Sequence, residues 1–146
     1  MLSMKAKYAL KALIFMARHD SSPEGTHLPS KQIGESENIP RKFLDNILQE
    51  LRQNGIVDSR RGIFGGYFLA RPASEIMLGD LIRIVDGPLA PIRCASLTAY
   101  QKCDDCRDEA SCDLRRLMRD VRDAMAAVLD RRSLADLIVN PDLIAA

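Results

Sequence analysis

Residues 39–71 read IPRKFLDNILQELRQNGIVDSRRGIFGGYFLAR, and this stretch decides the fold. Ile39, Phe43, Ile47, Leu48 and Leu51 recur at three- and four-residue intervals, the period of a helix with one buried face. Pro40 suits the first turn, where its missing N–H leaves no bond unmade. Asn54 and Gly55 end the helix, because glycine takes the left-handed conformation that a C-terminal cap needs. The next residues are β-like. Ile56-Val57 and Tyr67-Phe68-Leu69 flank Arg60, Arg61, Gly62 and the Gly65-Gly66 pair, which is a hairpin signal. The polar face of the helix carries Arg41, Lys42, Asp45, Asn46, Gln49 and Arg52, side chains that reach phosphates and base edges in a major groove. Arg60 and Arg61 stand at the hairpin tip, where a wing touches the backbone or a minor groove. Helix and basic hairpin, in this order, predict a winged helix-turn-helix.

Upstream, residues 3–19 place Met4, Tyr8, Leu10, Leu13, Ile14 and Ala17 at helical spacing, with Ser3 as the cap. A loop over residues 20–29, with Pro23, Gly25 and Pro29, breaks that pattern, and Ser30 is expected to cap a short helix, KQIGESEN. A short helix, a tight turn and a longer helix is the helix-turn-helix arrangement. Ser30 and Lys31, at the start of the short helix, join the candidate DNA contacts. Tyr8, Phe15 and Phe43 read as core residues rather than as platforms for bases.

Downstream, Pro72 to Ile76 opens a new element. LGDLIRIVDG puts Leu78, Leu81, Ile82 and Val85 on one helical face before Gly87 and Pro88 stop it. Residues 88–112 lack periodicity and hold all four cysteines. Asp113 is expected to cap a long helix whose apolar positions are Leu114, Leu117, Val121, Ala124 or Met125, and Val128. That is a narrow coiled-coil-like seam on a densely charged helix, which suits a partner subunit. SLADLIVN adds a closing helix ended by Pro141. The fold class is thus mainly α with a small β-hairpin wing. Residues 1–72 form the winged helix-turn-helix, and 73–146 the cysteine loop and dimerisation region.

The chain has 146 residues, and its 47% apolar fraction suffices for one packed core. No apolar run reaches the ~18 residues of a membrane span, and Lys5, Lys7 and Lys11 interrupt the N-terminal stretch, so a cytoplasmic protein is expected. In that compartment four cysteines indicate metal or redox chemistry rather than a structural disulfide. Residues 1–71 carry 11 Lys and Arg against 7 acidic residues, and residues 72–146 carry 10 against 13. A basic front half and an acidic back half fit one DNA-facing and one partner-facing region. His19 and His27 lie apart and read as solvated. Gly62-x-x-Gly65-Gly66 joins strands and lacks a following Lys-Ser/Thr, so it is not a phosphate loop. No Ser-His-Asp or Cys-His constellation appears, and no βαβ pattern surrounds Cys103-x-x-Cys106, so the chain does not read as an enzyme.

KYALKALIFMA, LRQNGIVDSRRGIFGGYFLARPAS, LGDLIRIVDG and a cysteine-rich loop before a long helix together resemble the Rrf-two family of bacterial transcription regulators, in which IscR, NsrR and RirA are found. The resemblance spans nearly the whole chain. It implies a winged helix-turn-helix whose long C-terminal helix crosses over to build a homodimer on palindromic double-stranded DNA. Half-sites then lie about one helical turn apart. Lys42, Phe43, Asp45 and Arg61 match family positions that meet DNA. Several members sense iron, nitric oxide or redox state through an iron–sulfur cluster.

Cys94, Cys103, Cys106 and Cys112 form C-x8-C-x2-C-x5-C, and thiolates are soft ligands suited to iron–sulfur clusters and zinc. The family's cluster binders use three cysteines, which Cys94, Cys106 and Cys112 match best; Cys103 is additional. Where some relatives place a histidine after the last cysteine this chain has Arg115, and where others place a carboxylate beside the first-helix tyrosine it has Lys7. Three uses of the loop stay open. They are a 2Fe-2S or 4Fe-4S cluster, a four-cysteine zinc site, and free redox-active thiols with Cys103 and Cys106 as the reactive pair. Asp104, Asp105, Asp108 and Glu109 are expected to raise the thiol pKa values and to oppose an anionic cluster. The alternative to a cluster sensor is a cofactor-free or zinc-bound dimer regulated by thiol oxidation, a small molecule or a protein partner.

Overall fold

The structure is a computed structural model that describes residues 2–139. Helices α1 (Met4–Arg18), α2 (Ser30–Glu37) and α3 (Arg41–Gln53) are followed by the hairpin strands β1 (Val57–Arg60) and β2 (Gly66–Leu69). Then come α4 (Leu78–Asp86), α5 (Asp113–Leu129) and α6 (Leu134–Val139), with short 3₁₀ turns at Ala73–Glu75 and Arg93–Ala95. Pro141, expected to end the last helix, lies outside the described residues.

Local chemistry accounts for most boundaries. The Ser3 side chain accepts from Ala6 N–H at 3.0 Å, capping α1, while its hydroxyl donates to Asp86 at the end of α4. Gly55, at φ 73°, lets the chain leave α3 and turn back, so that Ile56 N–H bonds the Leu51 carbonyl at 3.0 Å. The strands pair antiparallel with Val57 opposite Leu69 and Arg60 opposite Gly66. Two expected caps fall one residue off. Ser30 is the first residue of α2 and Pro29 takes the cap position without a side-chain bond. Likewise Asp113 begins α5, and the Cys112 sulfur accepts the capping bond from Arg115 N–H at 3.4 Å.

One core joins Leu13 and Met16 of α1, Ile33 of α2, and Leu44, Ile47, Leu48 and Leu51 of α3. Ile56, Val57, Leu69, Ile76, Leu78, Leu81 and Leu134 complete it. Each such side chain contributes about 1.5–3 kcal/mol by leaving water. Phe43 departs from the expectation: it is 58% exposed, and Leu44 takes the inward position. Ile47, Leu48 and Leu51 are buried as expected, while Leu44, packed against Gly34 of α2, takes the place expected of Phe43. Both histidines pack on rings, His19 on Phe15 and His27 on Phe68.

Arg83 on α4 and Asp130 at the end of α5 form a two-pronged pair, Nη1 to Oδ1 at 2.7 Å and Nη2 to Oδ2 at 2.9 Å. The Arg83 hydrogen bond, together with its charge, holds the Asp130 carboxyl below its ordinary value against the opposing effect of desolvation. A depressed folded value means that the pair's contribution is complete above the ordinary carboxylate pKa, ~3.9, and is lost as pH falls through the lower folded one. Because the Asp130 side chain is 42% exposed, solvent screening limits the effect to about 0.5–1 kcal/mol. Asp130→Asn is therefore expected to lower the thermal midpoint at neutral pH by about 1–4 °C, a difference that fades on acidification below ~4. A Cβ at Gly79 would collide with Asp130 Oδ1, so Gly79→Ala should displace that carboxylate from Arg83, a loss offset by the roughly 1 kcal/mol of helix propensity that alanine gains over glycine. The two changes should be non-additive in a double-mutant cycle of melting curves.

Candidate nucleic-acid interface and cysteine loop

Helix α3 follows α2 through a tight turn in which Asn38 adopts a left-handed conformation, φ 54°. Its outward face presents Arg41, Lys42, Phe43, Asp45, Asn46 and Gln49, all exposed. Arg41 Nε lies 3.9 Å from Asp45 Oδ2, so the carboxylate and guanidinium are held as neighbours one turn apart. Phe43 stands 6.3 Å from the Tyr8 ring of α1, which gives it a half-buried aromatic base. Lys31 on α2 is exposed and Ser30 half-buried. Arg52 Nε donates to Asp58 Oδ1 at 3.1 Å and ties α3 to β1, so helix and wing are held as one unit. Arg60 and Arg61 are exposed at the far end, with the Arg60 guanidinium 5.8 Å from the Phe68 ring centre. Beyond them Ile63 and Phe64, which no sequence pattern singles out, are almost fully exposed.

A second exposed surface runs along α5. Leu114 (58%), Leu117 (56%), Val121 (37%) and Val128 (49%) form an open apolar stripe. Met125 differs, being half-buried in a cleft it shares with Leu2, Ile82, Pro88 and Leu89. Behind the stripe lies Arg122, 9% exposed, the only buried residue of α5.

Arg122 anchors the cysteine loop. Its Nη1 donates to the Ala95 carbonyl at 2.5 Å, and Arg115 Nε donates to the Cys94 carbonyl at 2.9 Å. The Arg93–Ala95 turn is thereby fastened to α5 at two points two helical turns apart. Arg115 also lies over the Tyr100 ring at 5.9 Å, and the Tyr100 hydroxyl donates to Glu109, which raises its pKa. Sequence reasoning marks Arg115 only as standing in place of a histidine and misses Arg122, because their neighbours on the helix are equally charged and only the fold shows which carbonyls they meet.

The structure brings Cys94 and Cys103 together, Sγ to Sγ 3.8 Å, with Cys94 buried and Cys103 exposed. That hydrogen bond is the first cause of a raised Cys103 pKa; desolvation and the charges of Cys94, Asp105 and Cys106 add to it. The expected upward effect of an acidic neighbour is therefore present in Asp105 but is not the leading cause. Cys106 bonds Cys103 through the backbone, Cys106 N–H to the Cys103 carbonyl at 3.2 Å. The contact between sulfurs thus joins Cys103 to Cys94. Among the described residues no three His, Cys, Asp or Glu side chains converge as a metal site. The donor chemistry nonetheless fits a thiophilic centre: two thiolates on one tetrahedral metal with bonds of about 2.3 Å lie about 3.8 Å apart, the Cys94–Cys103 separation.

A family model described as Rrf2, iron-dependent transcriptional regulator, matches residues 2–140. The chain belongs to the Rrf2 family. The rrf2-like HTH-type transcriptional regulator of Rhodobacter capsulatus is 38% identical over 143 residues, covering 97% of this chain and 95% of that protein. IscR of Serratia proteamaculans is 34% identical over 98% of this chain and 82% of its own length. Among solved structures, CymR (YrzC), the global cysteine regulator of B. subtilis, superposes with a TM-score of 0.74 at 31% identity, covering 94% of this chain and 95% of CymR. The six helices and two-stranded wing of the described residues are thus an Rrf2-type winged helix, and the chain is a DNA-binding transcriptional regulator rather than an enzyme. Among the described residues no helix is long and apolar enough to cross a membrane.

Proposed function

We propose that this Rrf2 protein is a homodimeric, sequence-specific regulator that binds a palindromic operator and adjusts its affinity through the cysteine loop. The observation carrying this reading is the pairing of two open surfaces on one closed core, the charged face of α3 with its wing and the apolar stripe of α5. A stripe of Leu114, Leu117, Val121 and Val128 gains most by meeting its own copy, since a two-fold contact pairs like with like. Two reader helices related in this way read half-sites about one helical turn apart. Duplexes enriched from a random pool should accordingly be two-fold symmetric. Asymmetric sites, or no enrichment, would reject the dimeric reader. Within such complexes, Arg61→Ala should lower the slope of log affinity against log salt by about 1.8, the value for one phosphate contact from each of two protomers. An unchanged slope would remove Arg61 from the phosphate contacts.

For the sensor, Cys94, Cys103, Cys106 and Cys112 would hold an iron–sulfur cluster, a use supported by the IscR relatives and by the Cys94–Cys103 spacing. Such a cluster supplies a centre altered by oxidation, nitric oxide or iron supply. The chain's own part is transmission. Arg115 and Arg122 hold the carbonyls of Cys94 and Ala95, so a change in the Arg93–Ala95 turn pulls on α5 and shifts the spacing of the two reader helices. Zinc on the same thiols would make the loop a structural site. A second reading, direct thiol oxidation, is favoured by the sulfur contact itself and takes Cys94 and Cys103 as the reacting pair. Anaerobic purification with iron, sulfide and zinc analysis separates these uses.

A further inference from the structure

The turn that reverses the wing runs Gly62-Ile63-Phe64-Gly65 and is closed by Gly65 N–H donating to the Gly62 carbonyl at 3.0 Å. Its backbone makes demands only at the glycines: Gly62 has φ 115°, and a Cβ on Gly65 would run into the Arg60 carbonyl. Central turn positions are ordinarily filled by Gly, Pro, Asn, Asp or Ser for conformational reasons. Here they hold Ile63 and Phe64, 96% and 92% exposed, the most exposed large apolar side chains among the described residues. Neither belongs to the core, so the fold gives no reason for them, and leaving both in water is unfavourable.

Their surroundings select the partner. Arg60 and Arg61 directly precede the turn and are exposed. The Arg52–Asp58 pair and the Ile56–Leu51 bond fix the wing to α3, so the tip travels with the reader helix. When α3 enters a major groove, the tip is carried to the flanking minor groove. That groove offers phosphates on its rim for two arginines and stacked bases inside for an apolar wedge. Phe and Ile are among the residues that unstack base steps from the minor-groove side and kink the duplex. Pyrimidine–purine steps yield to this most easily.

We propose that Ile63 and Phe64 form an apolar wedge that enters the minor groove beside each half-site and unstacks one base step. The operator would then be selected for a flexible step at a position that no hydrogen bond reads. This rests on the DNA-binding reading above and deepens it.

The test uses the full-length protein and the operator it enriches from random duplexes. 2-Aminopurine placed at successive steps beside the half-sites reports unstacking, and energy transfer between end labels reports the bend. Phe64→Ala and Ile63→Ala alter side chains with over nine-tenths exposure, so both variants keep the fold, which circular dichroism verifies. The wild type should brighten one 2-aminopurine step per half-site and bend the duplex. Phe64→Ala should lose both signals and bind about ten-fold more weakly, with its salt slope unchanged. Replacing the step by a stiff A-tract should weaken the wild type but not Phe64→Ala. Operator binding without an unstacked step, or unaltered by Phe64→Ala, overturns the wedge and leaves the DNA-binding reading intact. Failure to enrich any duplex is seen before a variant is made, and overturns both.

Discussion

Exchanging Leu117 for aspartate is expected to halve the mass of the protein in solution and to lower its affinity for a two-half-site duplex by about 10²–10⁴-fold. Leu117 lies in the middle of the open stripe on α5, 56% exposed in the single chain, with Leu114 and Val121 on either side. Dimerisation would take it out of water, a gain of about 1.5–3 kcal/mol per side chain. An aspartate there would instead bury a carboxylate with no partner, which costs more than the leucine gains. The affinity loss follows from linkage. A dimer holds its second reader close to the second half-site, whereas a monomer binds each half-site as an independent event. Because Leu117 makes no part of the core, the monomer should keep its melting behaviour apart from the loss of dimer stabilisation. Light scattering and a titration with single and paired half-sites read the two effects. A variant that stays dimeric would place the interface elsewhere, and a monomer with undiminished affinity would separate DNA binding from dimerisation.

The second large effect is expected in the cysteine loop. In anaerobically purified protein, Cys94→Ser and Cys103→Ser should each abolish visible charge-transfer absorbance together with iron and sulfide, and the double variant should lose no more. The reason is their 3.8 Å contact: two thiols this close would serve one metal centre together, and removing either would open the site. Cys103→Ser with full iron content would return Cys103 to the role of a bystander. Cys106→Ser distinguishes a cluster from a thiol pair. A cluster held by all four thiols loses iron when Cys106 is replaced. A Cys94–Cys103 thiol pair contains no iron in the wild type and keeps its response to oxidant in Cys106→Ser, because the sulfur contact of Cys103 is with Cys94. Serine at Cys94 puts a hydroxyl at a site only 5% exposed, so that variant should also be the less stable of the two single replacements.

Periodicity and punctuation placed the elements well. The apolar spacing of residues 39–51, the Gly55 stop and the Gly65-Gly66 signal are matched by α3, its left-handed exit and the hairpin. These are interactions between near neighbours in the chain, so the chain order carries them. The two expected side-chain caps at Ser30 and Asp113 each fell one residue inside the helix, because Pro29 and the Cys112 sulfur reach the cap positions first.

Other features depended on which surfaces the fold brings together. Phe43 and Leu44 are adjacent and both apolar, and only the packing of α2 against Leu44 decides that Leu44 is buried and Phe43 turned outward. Arg122 is one of several arginines on α5, and its burial follows from the Arg93–Ala95 turn folding back to present a carbonyl. The closest spacing in the cysteine loop, C-x-x-C, pointed to Cys103 and Cys106, yet the sulfur contact joins Cys103 to Cys94 across eight intervening residues. A loop without hydrogen-bonded periodicity leaves its cross-chain contacts unspecified by spacing. Here the loop is drawn together by the bonds between Arg93 and Gln101, and its Arg93–Ala95 turn is held by two arginines on a helix that begins only after the last cysteine.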